Sequence, residues 1–202
     1  MIKSACDIIV DHHSELLERF GPDDPRVVWN SRESQESRFA VLMEVGDFRG
    51  ATVLDVGCGL GDLCGYLRRR NHAPRQYHGC DINPNMIEAA REKFSEAIFE
   101  VRDLIENPYP TGSFDYVVES GIFNIVIPDW EDVTYATLRR MFQACRRAVA
   151  VNFLSRLSGN ANPAARYSLP SEILAFVESE LSTRFVLRHD YRANDFTIFI
   201  YK

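Results

Sequence analysis

The stretch "TVLDVGCGLGDL" at positions 52–63 constrains this chain more than any other: a run with strand character breaks into glycines at 57, 59 and 61, and a helix-like segment follows. Glycine accepts the left-handed backbone that a sharp strand-to-helix turn requires, and it lets a ligand approach without β-carbons in the way. A nucleotide-like ligand is the obvious candidate. The dinucleotide fingerprint G-x-G-x-x-G would need a glycine at 62, where Asp62 stands, and no phosphate loop of the form G-x-x-x-x-G-K-[ST] is present. Asp55 before the turn and Asp62 after it are poorly placed against a pyrophosphate and suit a ligand that carries positive charge.

From this turn onward, strand-like runs alternate with helix-like ones, the sign of parallel βαβ units covered on both faces. "TVLDV", "QYHGCD", "AIFEVRD", "FDYVVES" and "AVAVNFL" read as five strands, with helices in "LCGYLRRR", "NPNMIEAAREKF" and about 130–147 between them. Two helices are expected ahead of the first strand. One carries Ile8, Ile9, Leu16, Leu17 and Phe20 and stops at "GPDDP"; the other is "RVVWNSRESQESRFAVLMEVG". The polar segment 155–170 is long for a connection, as mobile lids and binding loops are. A helix in "SEILAFVESEL" follows, and "RFVLRHDY" and "DFTIFIYK" read as a terminal hairpin. The expected fold is α/β, a Rossmann-like, doubly wound, mostly parallel seven-stranded sheet with a C-terminal antiparallel hairpin. Its 202 residues suit a single domain: a helical cap at 1–46, a ligand-binding core at 47–154, and a lid loop, helix and hairpin at 155–202.

A net charge of -6 and a pI near 5.4 argue against a surface built to hold a nucleic-acid backbone, so no DNA is expected as a partner. The arginines at 68–70, 139–140 and 146–147 read as solvated faces of helix-like segments. The five cysteines show neither a CxxC pair nor zinc-like spacing, which predicts reduced thiols and no metal. Asp7, Asp11, His12 and His13 interrupt what would have to be an apolar leader. The expectation is a cytoplasmic protein without a membrane partner, monomeric or homodimeric.

Two further acids fall at strand ends. Asp81 closes the second strand, roughly two dozen positions beyond Gly57, where an acid can accept hydrogen bonds from ribose hydroxyls. Asp103, in "VRDL", lies at the end of the third strand and is placed to accept from an adenine amino group beside the Leu104 N–H. Taken singly, either acid also reads as a helix cap or loop residue, and Cys58 as a small loop side chain. Together, in this order, they are far more specific.

With these elements the sequence resembles the class I S-adenosylmethionine-dependent methyltransferases of small-molecule type. "VLDVGCGLG" is similar to that family's first motif, "GCDINPNMIEAAR" to its acidic second-strand motif, "FEVRDL" to its adenine-contacting segment and "FDYVVESGIFN" to its fourth-strand segment. The resemblance implies S-adenosylmethionine as cofactor and S-adenosylhomocysteine as product. It implies that Gly57, Gly59 and Gly61 make room for the methionine part, with Asp55 near its ammonium. Asp81 would bind the ribose, Ile82 pack on the adenine, Asp103 and Leu104 read its edge, and Glu119, Ser120 and Gly121 border the methyl-transfer position. Helices before the first strand close over the cofactor in this family, so Trp29, Arg32 and Gln35 are candidates to touch it, simple packing being the alternative.

Methyl transfer from a sulfonium is an in-line displacement that needs positioning and exclusion of water more than covalent help. No triad is required, and none is evident. His189 is a candidate base, with a structural or surface role the simpler reading, while His12 and His13 read as a solvent-exposed pair or part of a lid. An (Asp/Asn/Ser)-Pro-Pro-aromatic motif, which would mark a flipped nucleobase, is replaced by "ESGIFN". The apolar "GIFNIVIP" favours a small, partly apolar acceptor methylated on oxygen or nitrogen rather than carbon. The alternatives are methylation of RNA or protein with a partner subunit, and a non-catalytic protein that only binds the cofactor.

Overall fold

A computed structural model describes residues 4–24, 27, 31–159 and 162–202. Seven strands form one sheet: β1 (Thr52–Val56), β2 (Gln76–Asp81), β3 (Ile98–Val101), β4 (Phe114–Ser120), β5 (Cys145–Leu154), β6 (Phe185–Arg188) and β7 (Asp195–Tyr201). Their order is β3-β2-β1-β4-β5-β7-β6. The first five run parallel, and β7 pairs antiparallel with both β5 and β6. This is the expected mixed architecture. The order reverses between β1 and β4, and ligands in open α/β sheets bind at such a switch point, outside the carboxyl ends of the strands. The glycine turn leaves β1 there.

The central strands lie between two helical layers, so they carry near-continuous apolar runs rather than alternation. All five residues of β1 are buried. On one face pack α2 (Arg32–Leu42), α3 (Asp62–Arg69) and α4 (Pro84–Lys93), through residues such as Phe39, Leu42, Leu67 and Ile87. On the other pack α5 (Trp130–Ala144) and α6 (Pro170–Phe176), with Leu138, Met141, Ile173 and Phe176 against Phe153 and Phe196 of the sheet. Each such fully buried apolar side chain stabilises the fold by about 1.5–3 kcal/mol. The α1 helix (Ala5–Phe20) opens on a capping box: Ser4 Oγ accepts from the Asp7 N–H and Asp7 accepts from the Ser4 N–H. Its Leu16, Leu17 and Phe20 pack with Met86 at α4 and with Leu60 of the glycine turn.

Several boundaries differ from the sequence reading. The second helix as described runs from Arg32, where Ser31 caps it by accepting from the Ser34 N–H at 3.2 Å, and most of the expected stretch before it lies outside the described residues. It ends in a 3-10 turn at Met43–Val45. The α5 helix stops at Ala144 and the next strand begins at Cys145, so Arg146 and Arg147 lie on β5, not on a helix. Both arginines pair with Asp115 of β4, which also takes the Thr52 N–H, and this knot holds the segment extended. The third strand ends at Val101, leaving Asp103 in the turn beyond it. The β6 strand ends at Arg188, where a side-chain pair with Asp190 two residues on draws the chain out of the ladder. The predicted long loop is tied down by Arg156 N–H to Ser168 O, Ser168 N–H to Leu154 O and Arg166 N–H to Asn124 O. No helix among the described residues is long and apolar enough to cross a membrane.

Candidate functional site

The glycine turn is held over the end of β2: the N–H groups of Gly57 and Cys58 both donate to Cys80 O, at 2.8 and 3.0 Å. Gly57 has φ +69°, and a β-carbon there would run into the Ile122 side chain. The turn and the 120–122 segment after β4 therefore close on each other and leave the glycine backbone facing a cavity of about 760 Å³. Asp81, half-buried at the end of β2, accepts from the Gly59 N–H at 3.0 Å and from the Asn83 N–H at 2.9 Å.

Carboxylates crowd this end of the cavity. Asp55 accepts a hydrogen bond from the Tyr77 hydroxyl, and burial, aided by the charges of Asp81 and Asp62, pushes its pKa up to about 7. Burial also raises Asp81 above the usual carboxylate range, against the backbone N–H groups that hold its charged form. Glu119, fully buried, is pushed up to about 8 by burial despite accepting from the N–H groups of Ile122 at 2.7 Å and Asn152 at 3.3 Å. Asp62 accepts from Gln35 Nε2 at 2.9 Å. Like charges gathered in a site of reduced solvation disfavour one another's ionised forms, and a cation among them relieves that cost.

Above Asp81 lies α1. Asn83, buried at the start of α4, caps that helix with its Oδ1 and donates with its Nδ2 to Val10 O and Ser14 Oγ, which fastens α1 over the cavity. His12 and His13 line the cavity. Burial holds the His13 imidazole below its usual pKa, against the pull of Asp81. Asp103 accepts from the N–H groups of Ile105 and Glu106 with one oxygen and from Cys6 Sγ with the other.

Toward β5 the walls become apolar, with Ile122, Phe123, Ile125, Ile127, Trp130 and Leu154 lining the cavity. Asn162, Ala164, Ala165 and Tyr167 bring the 155–170 segment onto the same cavity, while Arg166 stacks on the Trp130 ring at 4.6 Å. A buried ion pair closes this side: Arg38 Nε to Asp195 Oδ1 at 2.8 Å and Nη2 to Asp195 Oδ2 at 3.1 Å.

Of the residues singled out from sequence, Gln35, Asp55, Gly57, Gly59, Asp81, Ile82, Asp103, Leu104, Ser120 and Gly121 line this one cavity. Trp29 lies outside the described residues. Arg32 is exposed on the first turn of α2, away from the cavity lining. Gly61 is not among the cavity-lining residues: a β-carbon on it would meet Phe99 of β3 at 2.9 Å and Phe94 at the end of α4 at 3.0 Å. Glu119 sits beneath the cavity and shapes the turn bordering it. His189 is not among the residues that line the cavity; its ring lies edge-on to Phe196 and its buried Nε2 has no hydrogen-bond partner among the described residues. Sequence reasoning passed over Asn83 and Arg192. The "DINPN" stretch signals a helix cap, but nothing local in the sequence says that the cap side chain also grips α1.

A family model described as a methyltransferase domain matches residues 53–150. A putative methyltransferase of Mycobacterium tuberculosis is 31% identical over 160 residues, covering 75% of this chain and 93% of that protein. A probable chloroplastic tocopherol O-methyltransferase of rice, Oryza sativa subsp. japonica, is 35% identical over 91 residues, 41% of this chain and 25% of that protein. The chain thus spans nearly all of the first relative and a quarter of the second. Among solved structures, the magnesium protoporphyrin IX methyltransferase of Synechocystis with bound S-adenosylmethionine superposes with a TM-score of 0.70 at 17% identity, covering 100% of this chain and 98% of that one. At that identity the likeness speaks to the fold.

Proposed function

The chain belongs to the class I S-adenosylmethionine-dependent methyltransferase family, and from that membership we propose that it transfers a methyl group to an oxygen or nitrogen of a small, partly apolar metabolite. The observation that carries the reading is the two-ended cavity: carboxylates and glycine backbone at the β1 and β2 ends, an apolar wall from β4 to β5.

The residues fit the cofactor. S-adenosylmethionine, when bound, supplies an electrophilic methyl group on a positively charged sulfur. Asp81 has each oxygen engaged by one backbone N–H, which leaves acceptor capacity for the two ribose hydroxyls. Ile82 and Leu104 offer apolar surface for the adenine, and Asp103 and the Leu104 N–H its polar edge. Asp55, with Asp62 behind it, would hold the methionine ammonium, whose positive charge would favour the ionised carboxylate. Ser120 and Gly121 border the position of the methyl group, and Glu119 holds their turn from below. The apolar side chains of Ile122, Phe123, Ile125, Val126, Ile127 and Leu154, with the 162–167 segment, would keep water from that position, which favours an in-line displacement.

The test is calorimetric titration of the protein with S-adenosylhomocysteine, followed by incubation with S-adenosylmethionine and metabolite fractions with mass detection of methylated products. Micromolar binding and a methylated small molecule are expected. Binding without turnover across the fractions would favour a protein that only holds the cofactor, and methylated RNA or protein would move the acceptor to a macromolecule.

A further inference from the structure

We propose that Arg192 is the recognition residue for an anionic group on the acceptor, so that the substrates of this enzyme are apolar molecules bearing a carboxylate-like charge. This rests on the methyltransferase reading above and names its substrate class.

Arg192 lies on the connection between β6 and β7 and lines the same cavity as the glycine turn. Its Nε donates to Asp195 Oδ2 at 2.9 Å and its Nη1 to Ser37 Oγ at 3.4 Å. Nη2 makes no hydrogen bond among the described residues, and about a third of the side chain is exposed. Asp195 is itself fully buried and already takes a bidentate pair from Arg38. One carboxylate thus receives hydrogen bonds from two guanidiniums, and Arg192 has the outer, single-bonded position. The arrangement fixes the guanidinium plane by two anchors while presenting its remaining N–H groups to the cavity, which is how a positioned fork recognises a planar oxyanion.

The position separates this group from the donor. The glycine turn follows β1, and β7 lies three strands away across β4 and β5, about 14 Å at the usual strand spacing. The cavity they share is lined by the apolar Ile122, Ile125, Ile127 and Leu154 and by polar side chains such as Gln35, Asn124 and Asn194. A molecule that spans from the methyl-transfer position to Arg192 would meet mainly apolar surface on the β4–β5 side and a cation at its far end.

The experiment uses the whole chain saturated with S-adenosylhomocysteine and a matched pair of probes, decanoate and decanamide, that differ only in charge. Decanoate is expected to bind at least about tenfold more tightly, the scale of a charge-assisted hydrogen bond. Arg192→Met should remove that preference while leaving S-adenosylhomocysteine affinity within about twofold, and Arg192→Lys should keep part of it. The wild-type comparison stands even where a variant fails to fold. No preference for the carboxylate in the wild type, whether both probes bind or neither does, overturns the proposal. So does a preference that survives Arg192→Met, or a large loss of S-adenosylhomocysteine affinity in that variant, which would assign the guanidinium to the donor. Failure of the wild type to bind S-adenosylhomocysteine would instead overturn the methyltransferase reading.

Discussion

The carboxylate of Asp81 accepts a hydrogen bond from the backbone N–H of Gly59 at 3.0 Å, so the acid that ends β2 holds the glycine turn that ends β1. One side chain thereby links the shape of the turn to the ligand that occupies it. Asp81→Ala should weaken S-adenosylhomocysteine binding by about 1–3 kcal/mol, through loss of the ribose acceptor and of turn geometry together. Asp81→Asn, which keeps an oxygen for Gly59, should lose less. Calorimetry on folded variants reads both, and unchanged affinity in Asp81→Ala would remove the ribose role.

Gly57 faces a different constraint. Its φ of +69° is costly for a β-branched residue, and the added β-carbon is directed into Ile122. Gly57→Val should displace the 120–122 turn, abolish donor binding and destabilise the fold by several kcal/mol, on the order of other strained overpacking substitutions. Combining it with Ile122→Ala should recover part of the stability but not the binding, as thermal unfolding and calorimetry would show.

The buried acids give stability a pH dependence of definite sign. Asp55 at about 7 and Glu119 at about 8 bind protons in the folded protein that the unfolded chain releases near its ordinary carboxylate pKa of about 4. Folding is therefore favoured at acid pH by these groups, and that contribution is lost as pH rises from about 4 through 7 to 8. The thermal midpoint should fall between pH 5 and 8.5 in ligand-free protein. Glu119→Gln should flatten the upper part of that fall, and saturating S-adenosylmethionine should flatten it further by bringing a cation beside Asp55. An unchanged slope in Glu119→Gln would count against its being a major protonated group.

The Arg38 and Asp195 pair joins α2 to the start of β7 with both side chains out of solvent. Removing one partner leaves the other buried and uncompensated, and Asp195→Ala should cost about 3–5 kcal/mol of stability. The double variant Arg38→Met, Asp195→Leu should restore much of that in chemical denaturation. A near-zero cost for the single variant would show that water reaches the pair.

How much was legible in the sequence follows from the range of each interaction. The βαβ order, the glycine turn and Asp81 are local or evenly spaced signals, and they locate the sheet and the donor end of the cavity. Helix and strand ends depended on partners remote in sequence: Asp115 decides that Arg146 and Arg147 are strand, at separations of 31 and 32 residues. Glycines at 57 and 61 look alike as letters but face opposite sides, one against Ile122 and the other against Phe94 and Phe99. The acceptor end is assembled by contacts such as Arg38 with Asp195, 157 positions apart, which no local pattern announces.

The grip of Asn83 on α1 sets how the cavity opens. Its Oδ1 serves the start of α4 and its Nδ2 serves Val10 and Ser14, so a single side chain couples the helix behind Asp81 to the helix above it. Among the described residues α1 is also held by Cys6 on Asp103, by Ser14 on Asn85, and by partly buried side chains against Met86 and Leu60. Segments with few buried contacts open at a small fraction of the global unfolding cost. Asn83→Ala should cost about 1 kcal/mol in the α4 cap. It should also raise amide hydrogen exchange across α1 at least about tenfold in the ligand-free protein, with β1 and β4 unchanged. Saturation with S-adenosylhomocysteine should slow exchange in α1 of the wild type, because Ile9, His12 and His13 of α1 line the cavity the ligand would fill. Exchange in α1 that is indifferent both to the substitution and to the ligand would remove α1 from the cover of the site.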